Sequence, residues 1–224
     1  MIKVFALIPR KDGVSIERFH THWRDVHAPL ARRIKTIRRY AQSHALRTSV
    51  DGLPASIYEG VAEVWFDDLE TALGMAADPD YINGAGADEP NFIDQSRLAF
   101  LFCTDPLPDK PGIPDGLGGD HPEVKSLVLM RRASDGGWID RELIPAALQL
   151  PDVQRVGVAR AIPGATQDGQ AFDAVLELSW RGLVAHDRAW ADPAAEKLCE
   201  VIRSGLDMDT SAGLVAEVQR VVWP

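Results

Sequence analysis

Only two cysteines, Cys103 and Cys199, occur in 224 residues, too few and too scattered for a disulfide framework or a structural zinc site. Both sit among apolar neighbours, so they read as reduced thiols in or near the core, which suits the cytoplasm. Positive charge is in deficit: 24 Lys and Arg against 33 Asp and Glu leave a formal charge of -9 at pH 7. A surface that repels phosphate gives up the counterion release that drives nucleic-acid binding, which argues against a nucleic-acid partner. No apolar run approaches the roughly 20 residues of a membrane span. The first run, at residues 2–8, is of strand length and is closed by Pro9 and Arg10, too short for a signal segment. The expectation is a protein neither exported nor membrane-inserted. Also missing are a GxGxxG after a strand, a Walker loop, HExxH, GxSxG and CxxC, which sets hydride and phosphoryl transfer aside.

What is present is ample apolar material, 46% of the chain, with 25% charged residues, the balance of an ordinary globular core. Residues 105–122 are dense in proline and glycine and read as a linker, because proline removes ladder donors and helical continuity alike. The chain then divides into residues 1–104, the linker, and residues 123–224. Each half shows the order strand, helix, strand, strand, helix, strand. In the first these fall near 2–8, 15–34, 37–47, 57–66, 68–77 and 98–103; in the second near 124–132, 140–148, 153–161, 173–180, 183–204 and 215–222. Val61-Ala-Glu63-Val-Trp-Phe66, continuing to Ala77-Asp78-Pro79, answers Val175-Leu-Glu177-Leu-Ser-Trp180, continuing to Ala191-Asp192-Pro193, without a gap. A βαββαβ unit leaves one sheet face uncovered, and a second copy on the same chain is its natural cover. The fold class is therefore α+β, two half-barrels facing each other within one chain. One partly open end would serve as a small-molecule pocket.

The densest chemistry lies in the first helix. At 3.6 residues per turn, Ile16, Phe19, Trp23, Val26 and Leu30 form an apolar stripe, with His20 and His27 at its edge and His22 pointing elsewhere. A metal site is not expected, since His20 and His27 are about 10 Å apart along the axis.

The string Phe19-x-x-x-Trp23-x-x-x-His27-x-Pro29-Leu30 resembles the signature of the EthD family within the dimeric α/β-barrel superfamily. So do Tyr40-Ala41-Gln42-Ser43-His44, Gly60-Val61-Ala62-Glu63-Val64-Trp65-Phe66-Asp67 and Asn91-Phe92-Ile93-Asp94. The resemblance implies ferredoxin-like half-barrels that normally dimerise, here replaced by a pseudo-dimer within one chain that could associate further. It also implies kinship with small cofactor-free enzymes such as methylmuconolactone isomerase and aromatic polyketide cyclases, where helix-one and strand histidines line the pocket. The superfamily also contains cofactor-free monooxygenases and haem-binding enzymes. The second half departs from the pattern: it has no Trp-x-x-x-His-x-Pro motif, Pro145 interrupts its first helix, and its one helix histidine is His186.

Strand alternation places Tyr40, Gln42, His44 and Leu46 on one face, and Glu63 and Trp65 on a face opposite Ala62, Val64 and Phe66. With the smoother apolar face against the helices, Glu63, Trp65 and His44 are expected inside the barrel. His27 and His44 are the candidate acid and base, because histidine both takes and gives a proton near neutrality. Glu63 is a third candidate, or else a carboxylate paired with Arg47 or Arg97. Trp23, Tyr40, Trp65 and Phe92 are expected as pocket wall, with Asp94 as a binding or orienting group, and residues 78–90 as an acidic loop at the pocket rim. The reading is a cofactor-independent lyase or isomerase acting on a small cyclic, aromatic or polyketide-like compound. The rivals are a cofactor-free or haem-dependent oxidoreductase, with His27 or His44 as axial ligand, and a non-catalytic small-molecule-binding protein.

Overall fold

A computed structural model describes residues 1–104, 122–132, 137–166 and 171–223; the expected linker falls almost wholly outside them. Eight strands are present among these residues: β1 (Ile2–Ile8), β2 (Arg39–Arg47), β3 (Gly60–Phe66), β4 (Ala99–Thr104), β5 (Glu123–Met130), β6 (Arg155–Arg160), β7 (Ala174–Arg181) and β8 (Ala212–Val222). They form one antiparallel sheet in the order β4-β1-β3-β2-β8-β5-β7-β6. Each half has the same internal order, its last strand beside its first and its third between its first and second. The halves join along β2 and β8, from Tyr40↔Val222 to Arg47↔Val215. At the other edge a single bridge, Cys103↔Ala161, with Ile162 N donating to Phe102 O at 2.8 Å, brings the ends together into a nearly closed barrel.

Alternation sorts the side chains by layer. Val61 faces inward with Phe5, Leu7, Leu101, Leu127, Leu129 and Leu214, while Ala62, Val64 and Phe66 face the first-half helices. Inside, four charges form a closed square. Lys3 Nζ lies 2.7 Å from Glu63 and 2.7 Å from Glu177, and Lys125 Nζ lies 2.8 Å and 3.3 Å from the same two carboxylates. Glu63 is 0% exposed, and Ser43 Oγ adds a 2.6 Å hydrogen bond to it. The partners of Glu63 are thus lysines; Arg47 is engaged by Asp187 and Arg97 by Asp94.

The helices coat the outside. Ser15 caps α1 (Ile16–His22) by accepting from Arg18 N, satisfying one of the donors left open at a helix start. The rod then passes through a π turn, Trp23–His27, into α2 (Ala28–Ala31). Pro29 explains the widening: it has no N–H for the carbonyl one turn back, and Ala28 N–H reaches five residues back to Trp23 O. Pro145 has the same effect, since a π turn at Ile139–Leu143 precedes α5 (Ile144–Ala147), with Ile144 N–H on Ile139 O. Pro145 is therefore a likeness between the halves rather than the departure expected. Asp68 caps α3 (Leu69–Gly74). Residues expected as a rim loop are helical over Tyr81–Ala85, a π turn, then α4 (Gly86–Asp88) and a short turn at Glu89–Asn91. Between β7 and β8 the second half has α6 (Leu183–Trp190) and α7 (Pro193–Gly205), the latter capped by Asp192, where one helix was expected. No helix among the described residues is long and apolar enough to cross a membrane.

Candidate functional site

The π turn decides where His27 points. Residues spaced by four overshoot a full α-helical turn by about 40° per step, which puts His27 at the edge of the stripe and Val26 within it. Widening the helix there realigns Phe19, Trp23, His27 and Ala31 on one buried face, with Val26 left 46% exposed. His27 is 7% exposed.

Asp88, from α4, meets it. His27 Nδ1–H donates to Asp88 Oδ2 at 3.1 Å, His22 Nε2–H donates to the same carboxylate at 2.9 Å, and Asn91 Nδ2 donates at 3.0 Å. Burial alone would raise the Asp88 carboxyl, but the His27, Asn91 and His22 donors outweigh it and hold it well below the usual range. Phe92 packs behind, its ring centroid 5.2 Å from His27 and 4.9 Å from His22. His22, expected to point elsewhere, is thus part of the group.

His27 borders a half-open cavity of about 60 Å³ between the helices and the outer face of β3, walled by Trp23, Tyr40, Val64, Met75, Ile93 and other apolar side chains. Tyr40, Tyr81 and Glu89 bring its other side-chain oxygens; Tyr81 Oη–H donates to Glu89 Oε1 at 2.8 Å, and burial pushes the Glu89 carboxyl up. No lysine or arginine lines it among the described residues. The cavity therefore lies on the helix side of the sheet, where the sequence pointed to the barrel interior.

His44 is on the helix side too, contrary to the expectation that it faces inward with Glu63. Its strand neighbours Ala41 and Ser43 take the inner face, as the Ser43–Glu63 bond shows, so His44 falls with Tyr40 and Gln42 on the outer one. Its Nε2–H donates to Gln42 Oε1 at 3.0 Å, and its Nδ1 lies 2.9 Å from His20 Nδ1. Burial, with His20 and Arg24 nearby, pushes it down to about 3, so it is neutral at physiological pH. Glu63 and Trp65 lie inside the barrel, where Trp65 stacks under Lys3 at 4.6 Å. The Asp94 carboxylate is engaged by Ser96 and Arg97 at 2.6 Å each. The structure thus gathers His27, Trp23 and Tyr40 at the cavity with Phe92 behind, and does not bring Glu63, Trp65 or Asp94 to them. Asp88, Glu89, Tyr81 and Gln42 join the group without having been singled out. The four-residue spacing Tyr81, Ala85, Glu89 was the available signal, masked by the glycines around it.

Neither histidine fits a haem. A macrocycle must spread on every side of the iron over the ligand nitrogen, and about 60 Å³ has no such room; both His44 nitrogens are already engaged. The corresponding frame of the second half carries Leu143 at the place of His27 in the π turn, and Val156 at the place of Tyr40 in the strand register. There Ser126 Oγ, His186 and Asp187 are hydrogen-bonded in series at 3.0 and 2.9 Å, but Ser126 and His186 are fully buried, with His186 stacked on Trp190.

Residues 11–96 match the EthD domain. No curated protein matches the sequence. Solved structures that share the fold include an anthrone oxidase-like protein (TM-score 0.63, 11% identity, over 98% of this chain and 93% of that one), a putative chlorite dismutase (0.55, 14%, 98% and 95%) and a putative monooxygenase from Fusobacterium nucleatum (0.55, 9%, 98% and 91%). They establish for the chain the architecture of the dimeric α/β-barrel proteins.

Proposed function

From the premise that the first half of this chain carries an EthD domain, we propose that the protein is a cofactor-independent enzyme of the lyase or isomerase kind. In this reading His27 moves a proton on a small, uncharged cyclic or aromatic carbonyl compound. The observation that carries it is the His27–Asp88 pair at the wall of an apolar cavity. A carboxylate on Nδ1–H fixes the tautomer, leaves the Nε2 lone pair as base and stabilises the imidazolium that forms. His27 Nε2 takes the proton from the carbon beside the carbonyl; the C–H pair becomes the new C=C bond and the carbonyl π pair moves onto oxygen. Return of the proton to another atom completes an isomerisation. Delivery of that proton to a β-hydroxyl, which leaves as water, completes a dehydration. With no lysine or arginine on the wall among the described residues, an anionic substrate would be desolvated without compensation, which supports a neutral one. Only the reacting edge need enter the cavity.

The test is deuterium wash-in to small ketones, cyclohexanone and phenylacetone, followed by NMR. The protein should accelerate exchange, and His27→Gln should slow it by about 10²-fold or more. Exchange no faster than buffer, or a fully active His27→Gln, would overturn the reading. The names of two fold neighbours, anthrone oxidase-like and putative monooxygenase, favour a second reading in which the same carbanion reacts with dioxygen. Oxygen uptake with anthrone, absent from the lyase reading, separates the two.

A further inference from the structure

Tyr40 has a peculiar set of partners. Its oxygen accepts twice, from Trp23 Nε1–H at 3.2 Å and from Gln42 Nε2–H at 2.9 Å, and no hydrogen bond among the described residues uses its own proton. The ring is 2% exposed and lines the same cavity as His27. A buried hydroxyl whose lone pairs are both taken has one hydrogen-bonding capacity left, that of a donor, and the cavity is the open volume it borders.

The orientation of Gln42 is itself fixed. An amide oxygen only accepts, so the hydrogen on His44 must sit on Nε2, the atom facing Gln42 Oε1. That leaves His44 Nδ1 as acceptor, and the hydrogen between the two imidazoles belongs to His20 Nδ1. The amide end of Gln42 therefore points its two hydrogens at Tyr40 Oη and Trp23 O, the latter at 2.9 Å. The proton order runs one way, from His20 through His44 and Gln42 to the Tyr40 oxygen, and ends with the tyrosine hydrogen presented to the cavity.

We propose that Tyr40 is a catalytic residue, the hydrogen-bond donor that holds the substrate's carbonyl oxygen while its charge develops, and that His44 and Gln42 are positioning residues acting through it. This rests on the acid–base reading above for the step being assisted, but it assigns the oxygen-binding end of the site, where the substrate's enolisable carbonyl would sit. No proton leaves Tyr40, whose hydroxyl burial pushes up to about 12 against the lowering effect of the Gln42 and Trp23 hydrogen bonds: the enolate oxygen gains the carbonyl electron pair and is stabilised by the O–H, which the two incoming hydrogen bonds polarise. Such a donor, pre-aimed in an apolar pocket, is strengthened by the low polarity around it. His44 thereby has a part to play without ever changing its protonation state.

The experiment uses 4-nitrophenol, a single ring whose absorption reports its own ionisation, as a stand-in for the enolate. The native protein should bind it and lower its apparent pKa. Tyr40→Phe should weaken binding at least tenfold and return that pKa to the solution value. Gln42→Leu should do the same in part. If Tyr40→Phe folds poorly, global 3-fluorotyrosine replaces it: the ring keeps its shape, the O–H becomes a stronger donor, and binding should tighten a few-fold. His27→Gln should lose ketone exchange yet keep the probe. Unchanged probe binding in Tyr40→Phe, no response to fluorination, or no binding by the native protein would each overturn the role of Tyr40. The two readings separate cleanly: loss of exchange in His27→Gln with full probe binding in Tyr40→Phe leaves the base and removes the donor, and the converse pattern leaves the donor and removes the base.

Discussion

His27 and Asp88 differ in what each could lose without the fold noticing. An asparagine at 88 still fills the space and still accepts one hydrogen bond, but it neither stabilises an imidazolium nor fixes the His27 tautomer. Asp88→Asn should therefore keep the native circular dichroism and slow ketone exchange by about 10²-fold or more. Its effect on stability has a definite sign. The Asp88 carboxyl titrates below its ordinary value in the folded protein, so its stabilisation is complete above the unfolded pKa near 4 and is lost as pH falls through the depressed folded value. Thermal melts of Asp88→Asn should lose less on going from pH 5 to pH 3 than those of the native protein. The His44 imidazole should titrate only near its depressed pKa of about 3, giving flat ¹⁵N shifts from pH 5 to 8 with hydrogen on Nε2. His27, Trp23 and Tyr40 were legible in the sequence because their residue types and spacing mark chemistry. Asp88 was not, since an acid inside a glycine-bearing stretch reads as solvated surface until a helical turn aims it inward.

At the scale of the element, the first helix shows why periodicity alone misplaced its histidines. A 3.6-residue template is right for Phe19 and Trp23 and wrong beyond them, because Pro29 reaches back and opens a π turn. Pro29→Ala restores the missing N–H and permits an ordinary α turn. It should leave the melting temperature within a few degrees, yet turn His27 off the cavity and lower exchange at least tenfold; the downfield Nδ1–H resonance shared with Asp88 should disappear. The strand beneath has its own constraint. A Cβ on Gly60 would stand 2.3 Å from the Trp23 ring, so Gly60→Ala should cost about 1–3 kcal/mol in urea unfolding by displacing the tryptophan that donates to Tyr40. Strand positions were readable to within three residues at either end, but the face of β2 was not. Tyr40, Gln42 and His44 alternate as any half-buried strand does, and only the contacts of Ser43 inside the barrel decide which set faces in.

For the whole molecule, the two halves share strand order, π turn and buried glutamate, yet the first sets His27 and Tyr40 at a cavity where the second has Leu143 and Val156 in a core with Trp138 and Trp180. Besides the β2–β8 seam, the interior square links them. Each half contributes one lysine, in its first strand, and one glutamate, in its third. Lys3 reaches the glutamate of the other half and Lys125 does likewise, the reciprocal pattern of a twofold interface. The repeated glutamate was visible in the sequence, but its lysine partners were not, because no local pattern joins residues 3 and 177. A buried square of two positive and two negative charges is neutral only when complete. Lys125→Met should leave two buried carboxylates sharing Lys3 alone and cost about 3–5 kcal/mol in urea unfolding, whereas replacing Lys125 and Glu63 together by apolar residues of similar size should cost far less than the sum of the single changes. Burial would raise the Glu63 carboxyl, but Lys125 and Lys3 overcome it and hold it far below its ordinary range. The square should therefore stabilise the fold fully above pH 4–5 and weaken as pH falls toward the depressed pKa. Single variants that each cost under about 1 kcal/mol, the value of a solvated surface pair, would mean that water reaches these charges and that the seams, rather than the square, hold the halves together.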